Sequence, residues 1–341
     1  MDGPVLAIET SCDETAAAVV AGRTILSSVV ASQAELHSPY GGVVPEVAAR
    51  HHLGTVNAVI DEALREAGLA LDDVGTIAVT QRPGLIGALL IGVATAKAIA
   101  YASGKPLVMV DHIHGHIAAS WLDPVALDPP FVSLIASGGH TRLDLVDDLR
   151  APRPLGQTID DAAGEAIDKG ARLLGLGYPG GPALERLAAT GSRTAHTFPV
   201  GLRGRAQRDF SFAGVKTSLL YAVQQRDPDD PLDDAARADL AASYQEAVMR
   251  PLADRLIAAA VDEGAPAVAL GGGVAANGRL RELVAAGAER AGLRFAVPDR
   301  ALCTDNAAMI GAAAQFTDAV EWPRYLGMDA VASAPPGGIA A

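Results

Sequence analysis

One supersecondary plan is written twice along this chain, and that duplication restricts the fold more than any single motif does. The first copy opens with VLAIETSCDETAAAVV, AGR and TILSSVVAS. Apolar runs there flank a polar loop at Glu9 to Thr15 and a tight turn near Gly22, the pattern of two or three antiparallel strands. The second copy opens with PFVSLIASGGHTRLDLVDD, whose turn is Ser137-Gly138-Gly139. The likeness continues downstream. GTIAVT (75–80) predicts a strand, followed by a glycine-containing loop and a helix to about Ala102; PAVAL (266–270) predicts a strand, followed by GGGVAANGRLRELVAAG, a glycine loop opening a helix. PLVMVDHIHGHIAASW and RFAVPDRALCTDNAAMIGAAAQ each read as a short apolar strand running into a helix. The plan predicts an α/β protein of two lobes, each ββ(β)αβαβα, facing across a cleft. Glycine loops that open helices at the ends of parallel strands let backbone N–H groups reach a phosphate, so the cleft is expected to take a nucleotide.

A length of 341 residues suits about two domains. The join is expected near LDPVALDPPF, where three prolines stand with Asp123 and Asp128 in an exposed connection. That makes 1–125 an N-terminal lobe and 126–320 a C-terminal lobe with a helical, basic insertion at about 176–230. A tail covers 321–341, and its last ten residues, ASAPPGGIAA, are expected to be disordered. The two cysteines, Cys12 and Cys303, do not form a disulfide framework and suit a reducing cytoplasm. The start MDGPVLAIET lacks the basic region of a targeting signal. GLIGALLIGVATAKAIAYA (84–102) is interrupted by Lys97 and falls short of the ~20 residues a span needs, so it reads as a core helix rather than a membrane helix.

A formal charge of −13 argues against a general nucleic-acid binder, but the charge is unevenly spread. From Arg186 to Arg208 there are five arginines (186, 193, 203, 205 and 208) and no acid, which suits either a solvated loop or a surface for phosphates.

DHIHGH puts three of the chain's eight histidines within six positions. In a helix beginning near Asp111, His112 and His116 share a face, and His114 lies nearly opposite. An HxxxH pair on its own is often incidental on a surface helix. Here the matching junction of the second half is CTDNAAM, which places Asp305 at the mirror position across the cleft. Two imidazoles and a carboxylate form a divalent-metal donor set with room for substrate and water. A zinc protease of the HExxH type is rejected, because Ile113 stands where its general-base Glu would be.

IETSCDET, YGGVVPEVAARHH, SGGHT, DDAAGEAIDK, GLGYPGGP, DFSFAGVKT, GGGVAANGRLR and CTDNAAMI, in that order from about residue 5 to 317, resemble the universal tRNA N6-adenosine threonylcarbamoyltransferase family of the bacterial TsaD type. The resemblance implies an actin-like ATPase (ASKHA) fold. It implies transfer of threonylcarbamoyl from L-threonylcarbamoyl-adenylate to the N6 amine of adenosine 37, in tRNAs reading ANN codons, with release of AMP. It gives His112, His116 and Asp305 as ligands of one divalent ion, Fe(2+), with Zn(2+) or Mg(2+) as alternatives. It matches Ile135, Ala136, Ser137, Gly138, Gly139, Asp168, Gly181, Glu185 and Asn277 to the positions that bind the adenylate. The implied partners are the tRNA anticodon stem-loop, an inactive paralogue (TsaB-like) and a small P-loop ATPase (TsaE-like), with no membrane.

The residues themselves bear on these roles. The Ser137-Gly138-Gly139 turn admits a phosphate or acyl group close to the main chain. Asp168 and Glu185 suit ribose hydroxyls, although Asp161, Glu165, Asp168 and Arg172 also read as a charged helical stripe. Asn277 suits a helix cap as well as a ligand. Asp13 and Glu14, in the first hairpin loop, are the expected candidates for the base that takes the amine proton. The family pattern is broken at Asp111, at His114, and at RPGL, where Arg82 replaces a glycine. The remaining alternatives are a small-molecule O-carbamoyltransferase and an actin-fold kinase; the kinase should carry an acidic-x-Gly-Gly loop that IETSCDET lacks.

Overall fold

The computed structural model describes residues 3–202, 204, 207–224 and 233–333. They form two compact units, one of Met1–Pro129, Asp147–Pro152 and Pro298–Ala341, the other of Pro130–Val146 and Arg153–Val297.

The first unit begins with strands β1 (Val5–Glu9), β2 (Glu14–Ala21) and β3 (Thr24–Ser32), a meander turning at Gly22. Helices α1 (Ala34–His37) and α2 (Pro45–Ala67) follow, then β4 (Thr76–Arg82), α3 (Ile86–Ser103), β5 (Leu107–Asp111) and α4 (His112–Ala118). The sheet order is β3-β2-β1-β4-β5, with β1 antiparallel to β2 and parallel to β4. β1 is buried throughout because helices cover both faces of the sheet, and such a strand needs no polar alternation. Val5 and Ala7 point to one face, Leu6 and Ile8 to the other, where they meet Val56, Val59 and Ile60 of α2 and Val93 of α3. α3 is the one helix among the described residues long and apolar enough to cross a membrane. It packs on α2 and the sheet through a buried row that includes Ala88, Gly92, Ala96 and Ala100, as a core helix does. Gly68 and Gly104 close α2 and α3 in the left-handed conformation that suits glycine.

The second unit repeats the plan with β6 (Phe131–Ala136), β7 (Thr141–Val146) and β8 (Arg153–Gln157). After β8 come α5 (Ala163–Leu173), α6 (Gly180–Ala188), α7 (Ala213–Gln224) and α8 (Asp234–Glu263). Then β9 (Ala267–Gly271), α9 (Gly278–Ala291) and β10 (Arg294–Ala296) complete it. Its sheet runs β10-β9-β6-β7-β8, the same order with each strand at the corresponding place. The duplicated plan is therefore present strand for strand. The expected insertion corresponds to α6 and α7, although part of it and most of the tail lie outside the described residues.

The division differs from the sequence reading at two segments inside the expected second lobe, Asp147–Pro152 and the stretch from Pro298, both of which belong to the first unit. Residues 298–320 were expected in the second lobe, yet the chain returns after β10 to the first unit with α10 (Arg300–Cys303) and α11 (Ala307–Ala314). The reason is apolarity. All eight residues of α11, AAMIGAAA, are buried, and they pack on β1, β2, β5 and α4.

Candidate functional site

Asp111 ends β5 and opens α4. Its carboxylate accepts the backbone N–H groups of Ile113 at 3.0 Å and His114 at 3.3 Å, which starts the helix at His112. His112 and His116 then lie one turn apart on the same face. His114 turns away and donates from Nε2 to the Leu149 carbonyl at 2.6 Å; burial pushes its pKa down. It is a structural histidine, as its spacing implied.

Gly115 sits between the pair. A Cβ there would come within 2.9 Å of Ile310 Cδ1 and 3.2 Å of Met309 Cγ, so α4 lies directly on α11. Asn306 caps α11 by accepting the Met309 N–H at 2.9 Å, and Asp305 immediately precedes that cap. The result is a triad. Asp305 Oδ1 is 3.1 Å from His116 Nε2 and 3.5 Å from His112 Nε2, and the two imidazole rings stand nearly perpendicular with centroids 4.7 Å apart.

These residues fit a divalent ion. Nitrogen and oxygen ligands bind one at about 2.0–2.2 Å, which separates neighbouring ligand atoms by roughly 3.0–3.5 Å at octahedral or tetrahedral angles. The two separations from Asp305, 3.1 and 3.5 Å, fall in that range, and all three ligand atoms lie within 4.8 Å of one another. His116 Nδ1 is buried without a hydrogen-bond partner among the described residues, so this imidazole makes its directed interaction through Nε2, toward Asp305. The charge balance also favours a cation. Burial opposes a charge on His112, but Asp305 and Glu9 outweigh it and hold its pKa well above the usual value. Burial works against the Asp305 carboxylate too, yet the two imidazoles keep it well below the carboxylate range. His116 is pushed down, by burial first and by the charge on His112.

One expectation is overturned here. Asp305 does not come from the opposite lobe: it and both histidines belong to the first unit, because α11 packs against α4.

Asp13 ends the β1–β2 connection and Glu14 opens β2, both in the same unit. Burial, followed by the charges of Asp305 and Asp13, pushes Glu14 up to about 9. Burial also raises the Cys12 thiol, with Asp13 and then Asp305 adding to it. Ser11 Oγ, in the same loop, is 3.2 Å from His112 Nδ1, so the loop lies beside the triad. Glu9 was not singled out from sequence. It is fully buried at the end of β1, with Oε2 3.1 Å from His112 Nδ1 and accepting from Thr80 Oγ1 at 2.6 Å. A buried acid closing an otherwise apolar strand was the available signal.

The nine expected adenylate-binding residues all lie in the second unit, around the C-terminal ends of β6 and β9. Ile135 and Ala136 end β6, and Ser137, Gly138 and Gly139 turn into β7, with the His140 N–H donating to Ser137 Oγ at 3.1 Å. A Cβ at Gly138 or Gly139 would meet nothing within 4 Å, so the turn is open. The Gly164 N–H at the start of α5 donates to the Ser137 carbonyl at 3.0 Å. Asp168 lies on α5, and Gly181 and Glu185 on the adjoining α6. Glu185 Oε1 accepts the Gly278 N–H at 2.8 Å, tying α6 to the start of α9. Asn277 caps α9 through the Leu280 N–H at 3.1 Å and donates to Gln245 Oε1 at 3.1 Å. Gly272, at φ 83°, brings the glycine loop so near β6 that a Cβ would fall 2.4 Å from the Ala136 carbonyl oxygen.

The basic stretch is less free than its composition suggested. Arg208 pairs with Asp262 at 2.5 Å and Arg193 reaches Glu282 at 3.8 Å, while Arg203 and Arg205 lie outside the described residues.

The model of the family described as tRNA N6-adenosine threonylcarbamoyltransferase matches residues 24–312. The protein of that name from Cyanothece sp. (strain PCC 7425 / ATCC 29141) is 54% identical over 315 residues, covering 91% of this chain and 90% of its own. The one from Clostridium perfringens (strain SM101 / Type A) is 49% identical over 313 residues, with 92% of each chain covered. Among solved structures, T. kodakarensis HypF has a TM-score of 0.62 at 19% identity, covering 92% of this chain and 47% of that one. Component A of the Acidaminococcus fermentans (R)-2-hydroxyglutaryl-CoA dehydratase has a TM-score of 0.53 at 16% identity, covering 95% and 100%. Likeness at that level shows the fold alone, the actin-like ATPase fold. Sequence and architecture agree: the chain belongs to the tRNA N6-adenosine threonylcarbamoyltransferase family, acyltransferases that modify the N6 amine of an adenosine in tRNA.

Proposed function

We propose that the chain takes threonylcarbamoyl from L-threonylcarbamoyl-adenylate, places it on adenosine 37 of tRNAs reading ANN codons and releases AMP. The observation that carries the metal-dependent part is the His112–His116–Asp305 triad, whose ligand atoms all lie within 4.8 Å of one another. These three residues would hold one divalent ion, proposed to be Fe(2+). When bound, it supplies a Lewis acid that can orient or polarise an oxygen of the donor substrate.

The adenylate is assigned to Ile135, Ala136, Ser137, Gly138, Gly139, Asp168, Gly181, Glu185 and Asn277. The open Ser137-Gly138-Gly139 turn supports this, because backbone amides without side chains in the way can approach a phosphate or a developing oxyanion. Glu185 and Asn277 already serve the start of α9 with one oxygen each, so their remaining polar capacity is what a ligand would meet. AMP is a good leaving group, so the harder step is attack by an aromatic amine, which needs a base. Asp13 and Glu14 are assigned that role because Ser11, in the adjoining loop, reaches His112 of the triad. If D13A and E14A both turn over preformed adenylate at wild-type single-turnover rates, neither is the base.

A TsaB-like paralogue and a TsaE-like ATPase are the proposed partners, acting with this chain in the cytoplasm. Supplying tRNA and preformed adenylate to the metal-loaded protein should yield threonylcarbamoyladenosine, read by nucleoside mass spectrometry. Persistence of that nucleoside in tRNA from cells depleted of the protein would refute the reading.

A further inference from the structure

His112 is flanked by two carboxylates, and only one of them belongs to the triad. Glu9 approaches from the other side. Its side chain is 1% exposed and ends β1, between β2 and β4. The scaffold holds it at both oxygens. Oε1 accepts the Ser11 backbone N–H, and Oε2 accepts the Thr80 hydroxyl at 2.6 Å while lying 3.1 Å from His112 Nδ1. The opposite ring nitrogen, Nε2, faces Asp305.

We propose that Glu9 is a positioning residue: it keeps a proton on His112 Nδ1, so that Nε2, which faces Asp305, is the nitrogen left to ligate an ion. The Glu9 Oε2 that faces Nδ1 is already the acceptor of the Thr80 hydroxyl, so across this 3.1 Å contact Nδ1 is the donor. Fixing the far nitrogen of a ligating imidazole sets both its tautomer and the angle of its ring. The neighbouring His116 serves as an internal contrast, since its Nδ1 has no such partner among the described residues. The two histidines are therefore unequal: both ring nitrogens of His112 face a carboxylate, whereas among the described residues His116 faces one only at Nε2. Ser11 Oγ, 3.2 Å from the same Nδ1, can accept or donate and so cannot by itself decide the tautomer.

This rests on the reading of the triad as a metal centre, and the experiment separates the two ideas. Metal-stripped full-length protein is titrated with Zn(2+) against a chromophoric chelator, for wild type, E9Q, S11A and D305A. Histidine ring nitrogens are followed in parallel by 1H–15N correlation of the unsubstituted protein. The expected results are a His112 Nδ1–H signal and a metal-bound Nε2 in the wild-type zinc form. Zinc affinity should fall about 10- to 100-fold in E9Q and less than threefold in S11A. A His112 protonated at Nε2 in the wild-type zinc form overturns the proposal without any variant having to fold. So does wild-type zinc affinity in E9Q, even with a lowered melting temperature, since that would make Glu9 structural only. Unchanged zinc binding in D305A would instead remove the metal centre itself, and the proposal with it.

Discussion

Arg82 and Asp111 depart from the family pattern at separate places in the sequence, but they meet in the fold. Arg82 Nε is 3.2 Å from Asp111 Oδ2, and the side chains are 16% and 4% exposed. The other Asp111 oxygen caps the helix that carries the histidines. Breaking a buried pair from one side strands the other charge, at a cost of about 3–5 kcal/mol. R82A is therefore expected to destabilise the protein more than R82A/D111N does, with urea unfolding as the measure; equal losses would mean that the two charges do not support each other. His114 supplies a second contrast at this scale. H114A should cost about 1–3 kcal/mol through the orphaned Leu149 carbonyl and the space left, yet keep divalent-ion binding. H116A should abolish ion binding. Calorimetric metal titration of both variants distinguishes them.

Two of the motifs explain each other once the helices are in place. Asp160, in DDAAGEAIDK, accepts the Phe212 N–H at 2.7 Å and the Ser211 hydroxyl, holding the start of α7 in DFSFAGVKT. Asp161 pairs with Lys216 on α7 and with Lys169 at 3.2 Å on α5. Burial opposes the Asp161 charge, but the two lysines outweigh it and hold its pKa below the usual carboxylate value. A depressed carboxylate contributes stability that is fully present above its unfolded pKa, about 3.9, and is lost as pH falls through the lower folded value. D161N should therefore melt below wild type at neutral pH, and the difference should shrink as pH falls below about 4. Melting curves across that range check the sign. D160A should cost about 1 kcal/mol, as the loss of a helix cap does.

At the scale of the whole chain, the last described segment returns to the unit that holds its beginning, and the triad joins the two stretches. An ion bound to the native state alone stabilises it by about 2.7 kcal/mol at a hundredfold excess over Kd. Zinc should raise the melting temperature of wild type and leave that of D305A unchanged, with scanning calorimetry as the readout. Much of this was legible from the linear chain. The strand meanders, the glycine loops and the His112–His116 spacing depend on periodicity and on chemistry local to a few residues, and local geometry carries over into the fold. Asp305 was found for its chemistry but assigned to the wrong side, because the internal repeat implied a symmetry that α11 breaks by burying all its residues against the first sheet. Glu9 went unnoticed because its partners, Thr80 and His112, are distant in sequence. The free basic surface shrank for a similar reason, since Asp262 and Glu282, which engage Arg208 and Arg193, sit on helices far along the chain. The amino-acid order was enough to specify the two sheets and the types of group at the centre. Which unit owns each group, and which charges are already engaged, depended on long-range packing, because burial and pairing are properties of surfaces that exist only after the chain has folded.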